Sequence, residues 1–252
     1  MSADKNNALS KVPAVTLMFW IIKILATTLG ETGGDAVSMS MNLGYLVGTG
    51  IFAAIFIVAV IAQISAKTFR PALYWATIIA TTTVGTTMAD FATRSLGIGY
   101  AGGSAILLSL LLMSLFVWHR SMGSIAVSTV NTRKVEWFYW VTIMFSQTLG
   151  TALGDWTSDS MKLGYDGAAL LFTAALLLIV AAYFWTKISR TALFWAAFIL
   201  TRPLGAVVGD FLDKPASKGG LELSRYSASA CLLALIIAGI YFSLRQPAKK
   251  AH

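Results

Sequence analysis

Apolar residues run through this chain in blocks of about 20, and in every second block polar side chains recur at intervals of four. Blocks of that length rise ~30 Å as helices, enough to cross a hydrocarbon core. They predict eight helices, over residues 13–37, 44–64, 71–92, 101–119, 135–156, 166–186, 191–212 and 226–244. Membrane barrel strands would instead show short alternating segments. Pro71 opens the third block, where its missing N–H costs little.

The odd-numbered blocks share one motif. Trp20 to Asp35 reads WIIKILATTLGETGGD, and the pattern returns at Trp75 to Asp90, Trp140 to Asp155 and Trp195 to Asp210. Three copies extend to a Leu/Ile-Gly-Tyr ending at Tyr45, Tyr100 and Tyr165, where the fourth has Gly220. Trp20 and Trp75 lie 55 residues apart, as do Trp140 and Trp195, whereas Trp75 and Trp140 are separated by 65. The chain therefore reads as two halves of two repeats each. Its fold class is an all-α polytopic membrane protein, with eight transmembrane helices in four parallel two-helix repeats. Such halves would sit around an axis normal to the membrane. The motif helices would line the centre and the even helices would face lipid. The predicted organisation is an N-terminal tail over 1–11, a first half over 12–119, a linker over 120–134, a second half over 135–244 and a basic tail over 245–252.

Small residues four apart, Gly30/Gly34, Gly85/Ala89, Gly150/Gly154 and Gly205/Gly209, make smooth helix faces on which neighbours approach closely. Each pair is followed at once by the Asp. Residues four apart share a face, so the first motif helix offers Lys23, Thr27, Glu31 and Asp35. The second offers Thr82, Thr86, Asp90 and Arg94, the third Gln147, Thr151, Asp155 and Asp159, and the fourth Arg202, Asp210 and Lys214. Charge in hydrocarbon is expensive and normally faces a protein interior or a wet cavity. Within the apolar blocks, Glu31, Asp35, Asp90, Asp155 and Asp210 stand against Lys23 and Arg202, an excess of three negative charges. Bound cations or protons would relieve it; internal pairing with Lys23 and Arg202 is the structural alternative. Pro203 should kink the last motif helix, leaving Arg202 to bind a freed carbonyl, pair with an Asp or act as an internal counter-ion in place of substrate.

Only 12% of the residues are charged, about half the share of a soluble domain, and the net charge is +8. The bases sit between apolar blocks, not in a patch, which argues against nucleic acid. Twelve lysines and arginines, from Lys5 to Lys250, fall on the face of the odd-helix N-termini; Arg94, Lys162, Lys214, Lys218 and Arg225 fall on the other. The positive-inside rule then puts both termini in the cytoplasm. Cys231 stands alone in an apolar run and His119 and His252 are peripheral, so no disulfide framework or soft-metal site is expected. No nucleophile–base pair, HExxH motif or phosphate loop marks an enzyme.

The candidate ligands are all oxygen: Glu31, Asp35, Asp90, Asp155 and Asp210 as a metal set, with Thr27, Thr86, Gln147 and Thr151 beside them and Lys23 and Arg202 compensating charge. Hard oxygen sites suit Mn²⁺, Mg²⁺ or Ca²⁺, bound as substrate and not as a resident cofactor. The leading reading is a transporter for a cation, a divalent metal first. A proton-coupled carrier of a small organic cation and a non-transporting scaffold or partner subunit are the alternatives. The repeated Gly-x-x-x-Gly/Ala-Asp hairpins resemble a family of small bacterial inner-membrane proteins described as uncharacterised and membrane-anchored. That resemblance implies a multi-pass inner-membrane location and tilts the substrate towards manganese.

Overall fold

The structure, a computed structural model, describes residues 10–243. The tail positions Lys5, Arg245, Lys249, Lys250 and His252 lie outside the described residues. Eight long helices account for most of the rest: α1 (Leu17–Asp35), α2 (Gly44–Ser65), α3 (Pro71–Asp90), α4 (Tyr100–Met122), α5 (Arg133–Asp155), α6 (Gly164–Trp185), α7 (Arg190–Asp213) and α8 (Arg225–Phe242). Helix α1 begins four residues beyond Pro13, because Thr16 caps it by accepting from the Phe19 amide. Thr132 caps α5 in the same way, through the Val135 amide. Helix α7 runs unbroken through Pro203.

The four motif helices close into a ring in which α1 packs on α3, α3 on α5, α5 on α7 and α7 on α1. Each even helix packs chiefly on the next motif helix: α2 on α3, α4 on α5, α6 on α7 and, closing the circle, α8 on α1. The repeats are thus not self-contained hairpins. The link over 66–70 is short, which makes α2 and α3 antiparallel neighbours, and 186–189 does the same for α6 and α7. The longer passage from α1 to α2 lets α2 swing away from its own motif helix.

That passage has a repeated construction. A five-residue π-helical turn follows the motif Asp directly at Ala36–Ser40, Phe91–Ser95 and Trp156–Ser160. Gly44, Gly99 and Gly164 then adopt positive φ, which explains the Gly of the Leu/Ile-Gly-Tyr ending. The fourth repeat differs because Pro215 has no N–H for such a turn and forces the preceding residue into extended backbone. Lys214 accordingly has φ −76° and ψ 155° and ends α7. Leu221 and Leu223 return to donate to the Phe211 and Leu212 carbonyls, satisfying the open end of α7.

The outer helices carry the apolar exposure. Val58, Phe116, Leu178 and Phe242 are all exposed, while the motif helices are polar along their buried faces. Among the described residues, five helices (α2, α4, α6, α7 and α8) are long and apolar enough to cross a membrane. The molecule is a membrane protein by this measure. Residues 10 and 11, expected at the end of a polar tail, are instead packed. Lys11 Nζ lies 2.7 Å from Glu136 and donates to the Ile64 carbonyl at 3.1 Å, and Ser10 donates to Val127 at 2.6 Å. This clamp ties the N-terminal segment to the turn Val127–Thr129, so that part of 120–134 is buried structure.

Candidate functional site

The ring exists because the motif glycines leave room for the neighbour's polar stripe. A Cβ on Gly30 would lie 2.4 Å from Thr82, and one on Gly150 would lie 2.1 Å from Arg202. On Gly205 it would meet Thr27 at 2.0 Å, and on Gly85 it would meet Gln147 at 3.0 Å. The same relation therefore recurs at every interface of the ring: the motif Gly of one helix receives the residue three before the motif Gly of the next. The second small residue repeats it one turn on, with Gly34 against Thr86, Gly154 against Ala206 and Gly209 against Glu31. Packing of this kind is van der Waals contact between close backbones, which a single methyl disrupts.

The stripes stack as layers along the ring axis. At one end, Phe19, Tyr74, Tyr139 and Phe194 are buried; the two tyrosine hydroxyls share a hydrogen bond of 2.6 Å, and the Phe19 and Phe194 rings pack tilted with centroids 6.2 Å apart. Lys23, Ile78, Ile143 and Phe198 follow, all fully buried, with Lys23 Nζ 4.0 Å from the Phe198 ring. Next come Thr27, Thr82, Gln147 and Arg202, then Glu31, Thr86, Thr151 and Ala206, and finally the four aspartates.

Arg202 ties the layers together. Its Nη2 donates to Glu31 Oε2 at 3.1 Å, to Thr86 Oγ1 at 2.5 Å and to Thr151 Oγ1 at 2.5 Å. One guanidinium on α7 thus reaches α1, α3 and α5 at once. Thr86 also donates to Glu31 at 3.2 Å. Thr27, in contrast, donates to the backbone carbonyl of Ile24 at 2.8 Å, the common fate of a helical threonine.

The aspartates do not form one cluster. Asp35 and Asp210 share the ammonium of Lys214, which bonds Asp35 directly and lies 3.0 Å from Asp210. Asp90 and Asp155 share Arg94, whose Nε is 3.0 Å from Asp90 and whose Nη2 is 3.2 Å from Asp155. Of the five carboxylates expected to act as a metal set, only Glu31, Asp35 and Asp210 come together, with one oxygen from each mutually within 4.8 Å. All three are buried. Burial alone would lower the Lys214 ammonium, but the Asp210, Asp35 and Asp213 carboxylates beside it raise it above the ordinary lysine range.

These pairings correct the charge count. Arg94, Lys214 and Arg225 count by position with the far face, and Arg94 and Lys214 also share the stripes of Asp90 and Asp210; all three fold back onto carboxylates. Arg225 lies 2.8 Å from Asp213 and 3.9 Å from Asp35. With Arg94 and Lys214 included, the five acids of the column face four bases. The excess falls from three to one. The signal was present in the sequence, since both bases lie four residues after a motif Asp; their reach to the neighbouring helix was not.

Each of the four repeats matches the family model Repeat of Unknown Function (DUF347), at residues 18–69, 73–124, 138–189 and 193–247. No match was found among curated proteins or among solved structures.

Proposed function

The chain belongs to the Repeat of Unknown Function (DUF347) family, and we propose that it is a cation transporter of the bacterial inner membrane that binds a divalent metal at Glu31, Asp35 and Asp210. The observation that carries this reading is the convergence of three buried carboxylates from two helices within 4.8 Å. A hard divalent ion takes oxygen ligands of this kind. The donors comprise no sulfur or imidazole, so manganese, magnesium and calcium fit, with manganese first. Lys214 stands for the cation in this closed arrangement: its ammonium neutralises Asp35 and Asp210 as a bound ion would. It sits on an extended loop after α7, not on a ring helix, so its withdrawal would open the carboxylates to the adjoining face without breaking the ring.

All eight helices span the membrane in this reading. Helices α1, α3 and α5 have 19, 20 and 23 residues, lengths that reach ~30 Å, and their polar stripes are hidden by the ring. The face holding Lys67, Arg70, Arg120, Arg133, Lys134, Lys187 and Arg190 is cytoplasmic, and so are both termini. Folding Arg94, Lys214 and Arg225 into the protein strips most of the positive charge from the other face and sharpens that asymmetry.

One observation favours a second reading, a scaffold without transport: every motif aspartate has an ion-pair partner. Thermal unfolding of purified protein in detergent, with Mg²⁺, Ca²⁺, Mn²⁺ or no metal, separates the two. The transport reading expects stabilisation by one of these ions that Asp35→Asn abolishes. The scaffold reading expects a flat response, with Asp35→Asn simply less stable. Metal-independent uptake of an organic cation driven by a proton gradient would move the substrate to that class.

A further inference from the structure

Below the carboxylates the column changes sign. Lys23 is fully buried and has no carboxylate partner among the described residues; its ammonium donates only to Thr201 Oγ1 at 3.4 Å and rests over Phe198. Arg202, one turn along, is also fully buried. Its Nη2 is committed to Glu31, Thr86 and Thr151, but Nε and Nη1 have no hydrogen-bond partner. Three polar groups in the adjoining layers are in the same condition: Thr82 Oγ1, Ser146 Oγ and both amide atoms of Gln147, all of them buried. Two cations here share one acid, Glu31. Buried donors are normally satisfied, and a buried cation without a counter-charge is strongly disfavoured.

We infer that the column holds a small monovalent anion between Lys23 and Arg202, on the aromatic side of Glu31. Either unpartnered guanidinium donor, Nε–H or Nη1–H, can make a charge-assisted hydrogen bond to such an acceptor. Gln147 and Thr82 add neutral donors, and Lys23 supplies the second charge. The Lys23 position separates this site from its pseudo-symmetric counterparts, because Ile78 and Ile143 occupy the equivalent places. The ligand class is a halide or a short carboxylate. The two proposed sites meet at Glu31, but the anion test uses no metal, so its outcome does not depend on the cation reading.

The experiment is thermal unfolding of the full chain in detergent, with chloride or acetate replacing gluconate at constant sodium. Saturable stabilisation by chloride alone identifies a halide, and by acetate a carboxylate. Lys23→Met should fold and bind the anion roughly tenfold or more weakly, since it loses a charge-assisted hydrogen bond. Glu31→Gln should bind it more tightly, because Arg202 is then left with no carboxylate. No anion dependence in the wild type would overturn the site and indicate a neutral Lys23 amine with hydration alone. Equal stabilisation of wild type and Lys23→Met would place the binding elsewhere and overturn it too. Should either variant fail to fold, the wild-type titration still decides.

Discussion

The two aspartate pairs of this ring are built alike and filled differently. Asp90 and Asp155 are bridged by Arg94, with Thr86 and Thr151 one layer below. Asp35 and Asp210 are bridged by Lys214, with Glu31 below and Asp213 beside. An arginine fork spanning two carboxylates is directional and fixes both helices. A lysine ammonium is a compact point charge on a flexible stem and imposes no such fork. In the proposed reading the first pair is a brace between α3 and α5, and the second is the exchangeable site between α7 and α1. Both bases come from even-numbered repeats and reach the next odd one, so the architecture is two-fold while the third carboxylate, Glu31, occurs once.

The sharpest way to break this contrast is to remove its shared hub. Arg202→Met should destabilise the protein by about 3–5 kcal/mol, the usual penalty for stripping one partner from a buried pair. Adding Glu31→Gln should restore most of it, read as recovery of the unfolding midpoint. If the double variant is no better than the single one, the Glu31 pairing is not what Arg202 satisfies.

Next come the two bases themselves. Arg94→Gln should lower the midpoint and leave any metal-induced stabilisation as it was. Lys214→Gln should also lower the metal-free midpoint but increase the stabilisation by metal, because the competing ammonium is gone. Matching behaviour of the two variants in a metal titration would erase the distinction between brace and site.

Packing gives the smallest effect. The Lys214 side has Gly209 against Glu31, where a Cβ would stand 2.6 Å from Glu31 Cβ. The Arg94 side already carries Ala89 at the matching place. Gly209→Ala should therefore cost about 1–3 kcal/mol by overpacking and displace Glu31, whereas Ala89→Gly should cost about 0.5–1 kcal/mol in backbone entropy and a further ~0.8 kcal/mol for its buried methyl. Equal, small losses in denaturant titrations of both would show that the two sides tolerate the same spacing.

Much of this plan was legible beforehand. The interval from Trp20 to Asp35, repeated from Trp75, Trp140 and Trp195, located the motif helices, and spacing by four placed Glu31, Thr86, Thr151 and Arg202 on inward faces. What the spacing could not supply was partner choice across helices. Spacing by four put Arg94 and Lys214 on the stripes of Asp90 and Asp210, but it gave no sign that they also reach Asp155 and Asp35 on the neighbouring helices. The pairing of each even helix with the following motif helix was also hidden, because periodicity gives a face and not a neighbour. Lys11 resembled part of a polar tail because its partner, Glu136, lies on the far side of the chain.

Manganese flux across proteoliposomes most directly tests the claim that Glu31, Asp35 and Asp210 carry a cation. Wild-type protein is expected to move Mn²⁺ down its gradient or against a coupled one. Asp35→Asn and Glu31→Gln, folded and reconstituted to the same level, should lose that flux, and Asp90→Asn should keep a substantial part of it. Equal loss from Asp35→Asn and Asp90→Asn would contradict the division between site and brace, and flux unchanged in all three would contradict the cation site altogether.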